Sequence, residues 1–199
     1  MILEFLGLSR SGKSTQRNLL ANYLASRHIP HKVLERPNVS FRQAGTAENF
    51  HRILFQHFSE GLSYGLANPQ EIVVLDRGFY DRSVLLQEDL ASGSVSRDFA
   101  ESLQAQITPN LGGIDHGFLF MVEPVVSLSR WASQREEGLD SAHLNQGLTD
   151  LDTVEGLNRL HGAYTRLHEQ YPHLVRIDGS QNRKLTHYRI LTALGILQP

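Results

Sequence analysis

An open parallel α/β sandwich, with five strands and helices on both faces, is the fold this sequence predicts, and three observations carry the prediction. Five short apolar runs rich in β-branched or aromatic residues recur along the 199 residues. Helical patterns lie between those runs, and such alternation implies parallel pairing with helices above and below the sheet. The polar residues with chemical potential gather at the ends of the runs, where an open parallel sheet binds its ligand. No internal repeat, low-complexity tract or Pro/Gly/Ser linker divides the chain, so one domain over residues 1–199 is expected.

The first strand is Ile2 to Leu6, and it runs into Gly7-Leu8-Ser9-Arg10-Ser11-Gly12-Lys13-Ser14. A helix then opens at Lys13, marked by Leu19, Leu20, Tyr23 and Leu24 at three-to-four spacing. The second strand, Lys32 to Glu35, ends in Glu35-Arg36-Pro37. Phe50, Ile53, Leu54, His57 and Phe58 mark the next helix. The third strand, Ile72 to Asp76, delivers Asp76-Arg77 and then Gly78-Phe79-Tyr80-Asp81-Arg82. The fourth, Phe118 to Glu123, is stopped by Pro124. Between about Trp131 and Thr149 the chain is polar with little core to bury, which reads as a lid. Leu157, Leu160, Tyr164, Leu167 and Tyr171 mark a later helix, and Leu174 to Asp178 closes the sheet.

Composition bounds the function. Apolar residues make up 40% and charged ones 20%, enough for a core. Nineteen basic against twenty-one acidic residues give a net charge of −2, which argues against a dedicated nucleic-acid binder. No apolar stretch approaches the ~18 residues of a membrane span. The first strand runs straight into the glycine loop and leaves no room for a cleavable signal, so a cytoplasmic enzyme is expected. Without cysteine there are no disulfides or thiolate metal sites. The ten histidines form no His-Glu-x-x-His, and His161 and His168 lack a carboxylate partner in pattern, so packing or surface roles are expected.

The segment Gly7 to Ser14 is a phosphate-binding loop. Its glycines let the backbone curl so that successive N–H groups point at phosphate oxygens. The helix N-terminus behind them adds partial positive charge. In this motif Lys13 reaches the β- and γ-phosphates and the Ser14 hydroxyl ligates Mg²⁺. Gly7, Ser9, Arg10, Ser11, Gly12, Lys13, Ser14 and Thr15 are therefore the candidate contacts of an ATP donor. A GTPase should add an Asn-Lys-x-Asp guanine reader, and none is present. A motor would need a longer chain, whereas a kinase of about this size needs only the loop, an acceptor site and a lid.

At the third strand end Asp76 can hold Mg²⁺ and Arg77 can neutralise the transferring phosphoryl group, unless the two form only a surface ion pair. Glu35 at the second strand end can take the proton of an acceptor hydroxyl, or be structural; between Glu35 and Asp76 the base is left open. In the lid, Arg130 and Arg135 of Arg130-Trp131-Ala132-Ser133-Gln134-Arg135-Glu136-Glu137-Gly138 can stabilise charge in the transition state and exclude water, or pair with their neighbours.

Over nearly its whole length the sequence resembles the thymidylate kinase and deoxynucleoside kinase superfamily. Arg10 within the loop, Asp76-Arg77 with an aromatic two positions on, Tyr164 and the closing Val175-Arg176-Ile177-Asp178-Gly179-Ser180 are similar to thymidylate kinases. That resemblance implies that Tyr164 and the Gly179 segment cradle adenine. Phe55-Gln56 resembles the Phe-Gln pair by which deoxynucleoside kinases read a base, and Arg135-Glu136-Glu137 resembles their lid. In those kinases a Glu ending the second strand is the base and the third-strand Arg clamps phosphate, so Glu35, Arg36, Phe55, Gln56, Arg77 and Tyr80 are the candidate acceptor contacts. The chain departs from thymidylate kinases at Ser9, where they carry Asp, at Glu35-Arg36-Pro37-Asn38-Val39, and at Ser59, where they carry an arginine. Asp76-Arg77-Gly78 departs likewise from the Glu-Arg-Ser of the deoxynucleoside kinases.

The expectation is thus a P-loop kinase, a three-layer sandwich that moves the γ-phosphoryl group of ATP, with Mg²⁺, to a nucleoside monophosphate or nucleoside. Kinases of non-nucleotide alcohols and a nucleotide-binding regulatory ATPase are the alternatives. The partner is a small-molecule acceptor, with neither nucleic acid nor membrane, and a homodimer is left open.

Overall fold

The computed structural model describes residues 1–37, 39, 41–136 and 153–197. Five parallel strands form one sheet in the order β2-β3-β1-β4-β5. They are β1 (Ile2–Gly7), β2 (His31–Leu34), β3 (Ile72–Asp76), β4 (His116–Met121) and β5 (Val175–Asp178). Each expected strand is present, β3 with the expected bounds and the others with ends shifted by at most two residues. Every residue of β1 and β3 is buried, as expected of strands covered on both faces.

Alternation along the strands divides the core. Leu3, Phe5, Val74, Phe118, Phe120 and Ile177 face one side, where α1 (Lys13–Ser26) and α8 (Arg183–Ala193) cover them with Leu20, Leu24, Ile190 and Leu191. Ile2, Leu6, Val73, Leu75, Leu119 and Met121 face the other, under α3 (Ala47–Ala67), α4 (Phe79–Ala91), α5 (Arg97–Leu111) and α7 (Val154–Gln170). A short α2 (Phe41–Ala44) precedes α3, and α6 (Pro124–Glu136) follows β4. Helices α1, α3 and α7 match the sequence patterns; α2, α4, α5 and α8 were not anticipated. In α5 the pattern was present but overlooked, with Phe99, Leu103, Ile107 and Leu111 buried at four-residue spacing. Pro124 does more than stop β4, because it opens α6 at a position where a missing N–H costs nothing.

The lid expected over 131–149 begins within α6. Residues 137–149 lie outside the described residues. Among the described residues, no helix is long and apolar enough to cross a membrane.

Strand β1 lies between β3 and β4, so the chain crosses β1 after leaving β3. That crossing is the switch point at which an open parallel sheet leaves a crevice beyond its carboxyl ends. Residues 7–12, 35–36 and 76–77 all lie at that edge.

Candidate active site

Gly7 ends β1 at φ 119° and Gly12 leads into α1 at φ 100°, values open to glycine at little cost. A Cβ on Gly7 would also strike the carbonyl of Phe120 on the neighbouring strand. Between them Arg10 takes φ 55°, in the left-handed region that non-glycine residues avoid by about 1–2 kcal/mol. The Leu8 N–H donates to Phe120 O at 3.2 Å, and Ser11 Oγ donates to Leu8 O at 2.7 Å. Lys13 curls back over the loop. Its Nζ donates to Gly7 O at 3.0 Å, to Leu8 O, and to Ser11 Oγ at 3.3 Å. Burial first, and the Arg77 cation second, push the Lys13 ammonium well below the ordinary lysine range, while Asp81 and Asp76 pull it back. A phosphate anion in the loop would supply the missing counter-charge.

Two outer contacts brace the loop from α6. Ser127 Oγ donates to Ser9 O at 2.8 Å. Arg130 donates to Arg10 O and to Gly179 O, each at 2.9 Å. Arg130, expected as a lid cation, therefore spends its guanidinium on two carbonyls and ties the loop to the turn after β5. Arg10 lies over the Trp131 ring at 5.8 Å. Arg135 belongs to α6, and its side chain lies outside what the structure describes. Gly179 abuts the loop so closely that a Cβ there would strike the Ser11 carbonyl oxygen, so this position needs glycine for close approach rather than for φ.

The centre of the site is a residue that the sequence reading passed over. Asp81, on the first turn of α4, is fully buried. Arg77 Nη1 reaches both of its oxygens at 3.2 Å. Arg82 donates at 3.1 Å, the Tyr164 hydroxyl at 2.5 Å, and the Gly7 N–H at 3.4 Å. Burial alone would raise the Asp81 carboxyl; Arg77, Arg82 and Tyr164 overcome that and hold it well below the carboxylate range. Arg77 itself stands at φ 69° and extends its other nitrogen to Ser9 Oγ at 3.5 Å. The candidate phosphate clamp is thus fixed against the candidate phosphate loop by a buried carboxylate. The signal for this was the Asp-Arg pair at 81–82, which follows closely on a strand end that already carried Asp76-Arg77.

Tyr164, which the resemblance places at adenine, is buried and spends its hydroxyl on Asp81, a correction imposed by the inward face of α7. Tyr80 is buried too, with its hydroxyl 3.0 Å from His173 Nε2 and its ring against Tyr171. Burial first, with Glu4 adding repulsion, pushes its phenol up to about 12.

At the other strand ends the two candidate carboxylates share one partner. Arg17, on α1, places Nη1 2.6 Å from Asp76 Oδ2 and Nη2 3.0 Å from Glu35 Oε1. His57 on α3 lies 2.9 Å from the Glu35 carbonyl and fixes that backbone. Arg17 was not singled out in the sequence, and His57 was read there only as part of a helical pattern. Arg36 lies over Phe50, with its guanidinium 5.2 Å from the ring centre. Desolvation first, and then repulsion from Arg82 and Arg77, lower it to about 10. Phe55 packs edge-on against Phe79, with ring centres 5.9 Å apart. Gln56, one residue and so ~100° further round α3, is exposed and donates to Glu60 at 3.1 Å. Its amide faces solvent rather than a buried pocket.

Ser14 is exposed on the first turn of α1, three residues before Arg17, and so shares the face that Arg17 turns to Asp76. Thr15, next along the helix, is half-buried. The Ser14 hydroxyl and the Asp76 carboxylate are hard oxygen donors, few in number, which fits Mg²⁺ held jointly with substrate phosphates. Among the described residues, no group of three or more His, Cys, Asp or Glu could hold a metal on its own.

No protein-family model matches the chain, and no curated protein matches it in sequence. Solved structures resemble it in shape. A deoxyadenosine kinase from M. mycoides with bound dATP superposes with a TM-score of 0.71 at 15% identity, covering 98% of this chain and 100% of that one. The structure of that kinase with the products dCMP and a flexible dCDP gives 0.68 at 15%, over 99% and 100%. With dCTP bound the values are 0.65 and 14%, over 99% and 100%. The five-stranded parallel sheet flanked by helices is the fold of these P-loop kinases.

Proposed function

We propose that this chain is an ATP- and Mg²⁺-dependent kinase that transfers the γ-phosphoryl group to a nucleoside or nucleoside monophosphate. The observation that carries the reading is the Asp81 hub. It sets Arg77, in a backbone conformation a non-glycine residue avoids, against a phosphate loop whose own lysine is buried and short of counter-charge. Strain held at a buried, over-determined site accords with a functional constraint.

In this reading the loop N–H groups from Ser9 to Thr15 hold the donor phosphates, with Lys13 and Arg10 beside them and Gly179 at the adenine end. Arg77 neutralises charge on the group in flight. Ser14 and Asp76 would hold Mg²⁺, which supplies charge neutralisation at the β- and γ-oxygens. Glu35 accepts the proton of the acceptor oxygen, with Asp76 as the alternative base. Arg36, Phe55 and Gln56 line or rim the acceptor side, Arg135 carries charge on the lid side, and Arg130 braces the phosphate loop from α6.

Likeness to deoxyadenosine kinases supports a nucleoside as acceptor. A second reading, a monophosphate acceptor, is favoured by Arg36, whose cation stands near two others and would gain from a phosphate between them. An ADP-release assay over a panel of nucleosides and monophosphates tests both. The expected result is release that depends on one acceptor class and disappears in Lys13→Ala. Release that no acceptor stimulates would refute the kinase in favour of a nucleotide-binding regulatory ATPase.

A further inference from the structure

The carboxylates at the ends of β2 and β3 are joined by a cation from a third element. Arg17 and Asp76 are each 11% exposed at the side chain, whereas Glu35 is 69% exposed. Arg17 is thus anchored at the desolvated Asp76 and offers its second nitrogen outward to Glu35. Its Nε and Nη2 also donate to Asn18 Oδ1, at 3.1 and 3.0 Å, which fixes the plane of the guanidinium. An exposed ion pair such as Arg17–Glu35 contributes little stability by itself. Its effect is geometric, because it holds a water-exposed carboxylate in one orientation beside the strand end.

The same guanidinium has a second consequence. It sits 2.6 Å from the carboxylate oxygen that the proposed reaction gives to a divalent ion. A unit positive charge there repels a doubly charged one, and a carboxylate already neutralised has less to offer it. Phosphates in the loop would reverse the balance by adding negative charge on the far side of Ser14.

We infer that Arg17 is a positioning residue that holds Glu35 and Asp76 together and keeps a divalent cation off Asp76 until a nucleotide is bound. The inference rests on the proposed function. Metal therefore enters with the nucleotide and not before it, and Glu35 keeps its orientation through the exchange because the second nitrogen of Arg17 stays on it.

The test is Mn²⁺ binding, followed by electron paramagnetic resonance without nucleotide, on the whole chain. Arg17→Met removes the charge and keeps the length; Arg17→Lys keeps the charge; circular dichroism checks the fold. Arg17→Met should bind Mn²⁺ about tenfold or more tightly than wild type, the factor corresponding to repulsion of single and double charges ~5 Å apart in water. Arg17→Lys should stay near wild type, and adding Asp76→Asn to Arg17→Met should abolish the gain. If Arg17→Met fails to fold, Arg17→Gln takes its place in the comparison. An unchanged affinity, or a gain that survives Asp76→Asn, overturns the inference. Repeating the titration with a non-hydrolysable ATP analogue separates the two readings. If wild type then binds the metal–nucleotide pair but the gain is missing, only the inference falls. If it binds neither, the proposed function falls and takes the inference with it.

Discussion

Replacing Asp81 by Asn should damage fold and chemistry together, and the size of the effect follows from its partners. The carboxylate takes two contacts from Arg77, one from Arg82 and one from Tyr164, all in the interior. The amide keeps the shape but removes the charge, and it turns an N–H₂ toward at least one guanidinium. Two arginines, of which Arg82 is 2% exposed, are left without compensation. Breaking a buried ion pair on one side costs about 3–5 kcal/mol. For a chain of this size each kcal/mol lowers the melting temperature by about 2–4 °C, so a fall of about 6–20 °C is expected. Urea unfolding measures the difference directly. The pH dependence checks its origin. A carboxyl held below its unfolded pKa of ~3.9 stabilises the fold above that value, and the stabilisation is lost as pH falls through the folded pKa. Wild type should therefore lose its advantage over Asp81→Asn progressively below about pH 4. Adding Arg82→Met to Asp81→Asn should restore part of the loss, because one orphaned cation goes with it. A melting point within about 2 °C of wild type at neutral pH, a shift below 1 kcal/mol for a chain this size, would refute the hub.

Three further outcomes are expected. Lys13→Ala should abolish acceptor-dependent ADP release while leaving circular dichroism unchanged, since its three contacts are within the loop itself; near-normal turnover would refute the donor site. Glu35→Gln should lower kcat by roughly 10²-fold, the low end for a lost base because phosphoryl transfer is loose, with little change in the Mg²⁺ curve; Asp76→Asn should shift that curve to higher metal, and the reverse pattern exchanges their roles. Glu4 is buried under α4, accepting from Tyr80 N at 3.1 Å and Asp81 N at 2.9 Å, and burial pushes its carboxyl up to about 8. A raised carboxyl stabilises the fold fully below its unfolded pKa and loses that contribution as pH rises through the folded one, so wild type should weaken between about pH 4.5 and 8 relative to Glu4→Gln, which thermal melts across that range would detect.

The central strands were legible because burial on both faces leaves an unbroken apolar run, and Ile72–Asp76 falls where the run itself begins and ends. The loop was legible because phosphate binding needs glycine and lysine at fixed spacing. What could not be read was which side chains meet. Arg17 looks like any solvent-facing residue of α1 until the fold brings β2 and β3 beneath it. Asp81 and Tyr164 meet across 83 positions, and only the packing of α7 on α4 pairs them. Tyr164 fitted the helical stripe of α7 equally well as core or as ligand contact, since both demand an inward aromatic. Gln56 beside Phe55 illustrates the opposite failure: neighbours in sequence point about 100° apart on a helix, so a dipeptide that fits a motif need not present both side chains to one pocket.

The brace that Arg130 and Gly179 provide bears on how the chain is made. The loop is synthesised before the glycine that packs on Ser11, which follows roughly 170 residues later. At synthesis rates of about 5–20 residues per second, that gap lasts on the order of 10–30 s. Throughout it the loop lacks the turn after β5. Under the proposed function, nucleotide therefore adds its binding free energy to a chain whose β5 has docked rather than to the nascent one. In that reading the fifth strand of the sheet decides when the loop after the first becomes useful.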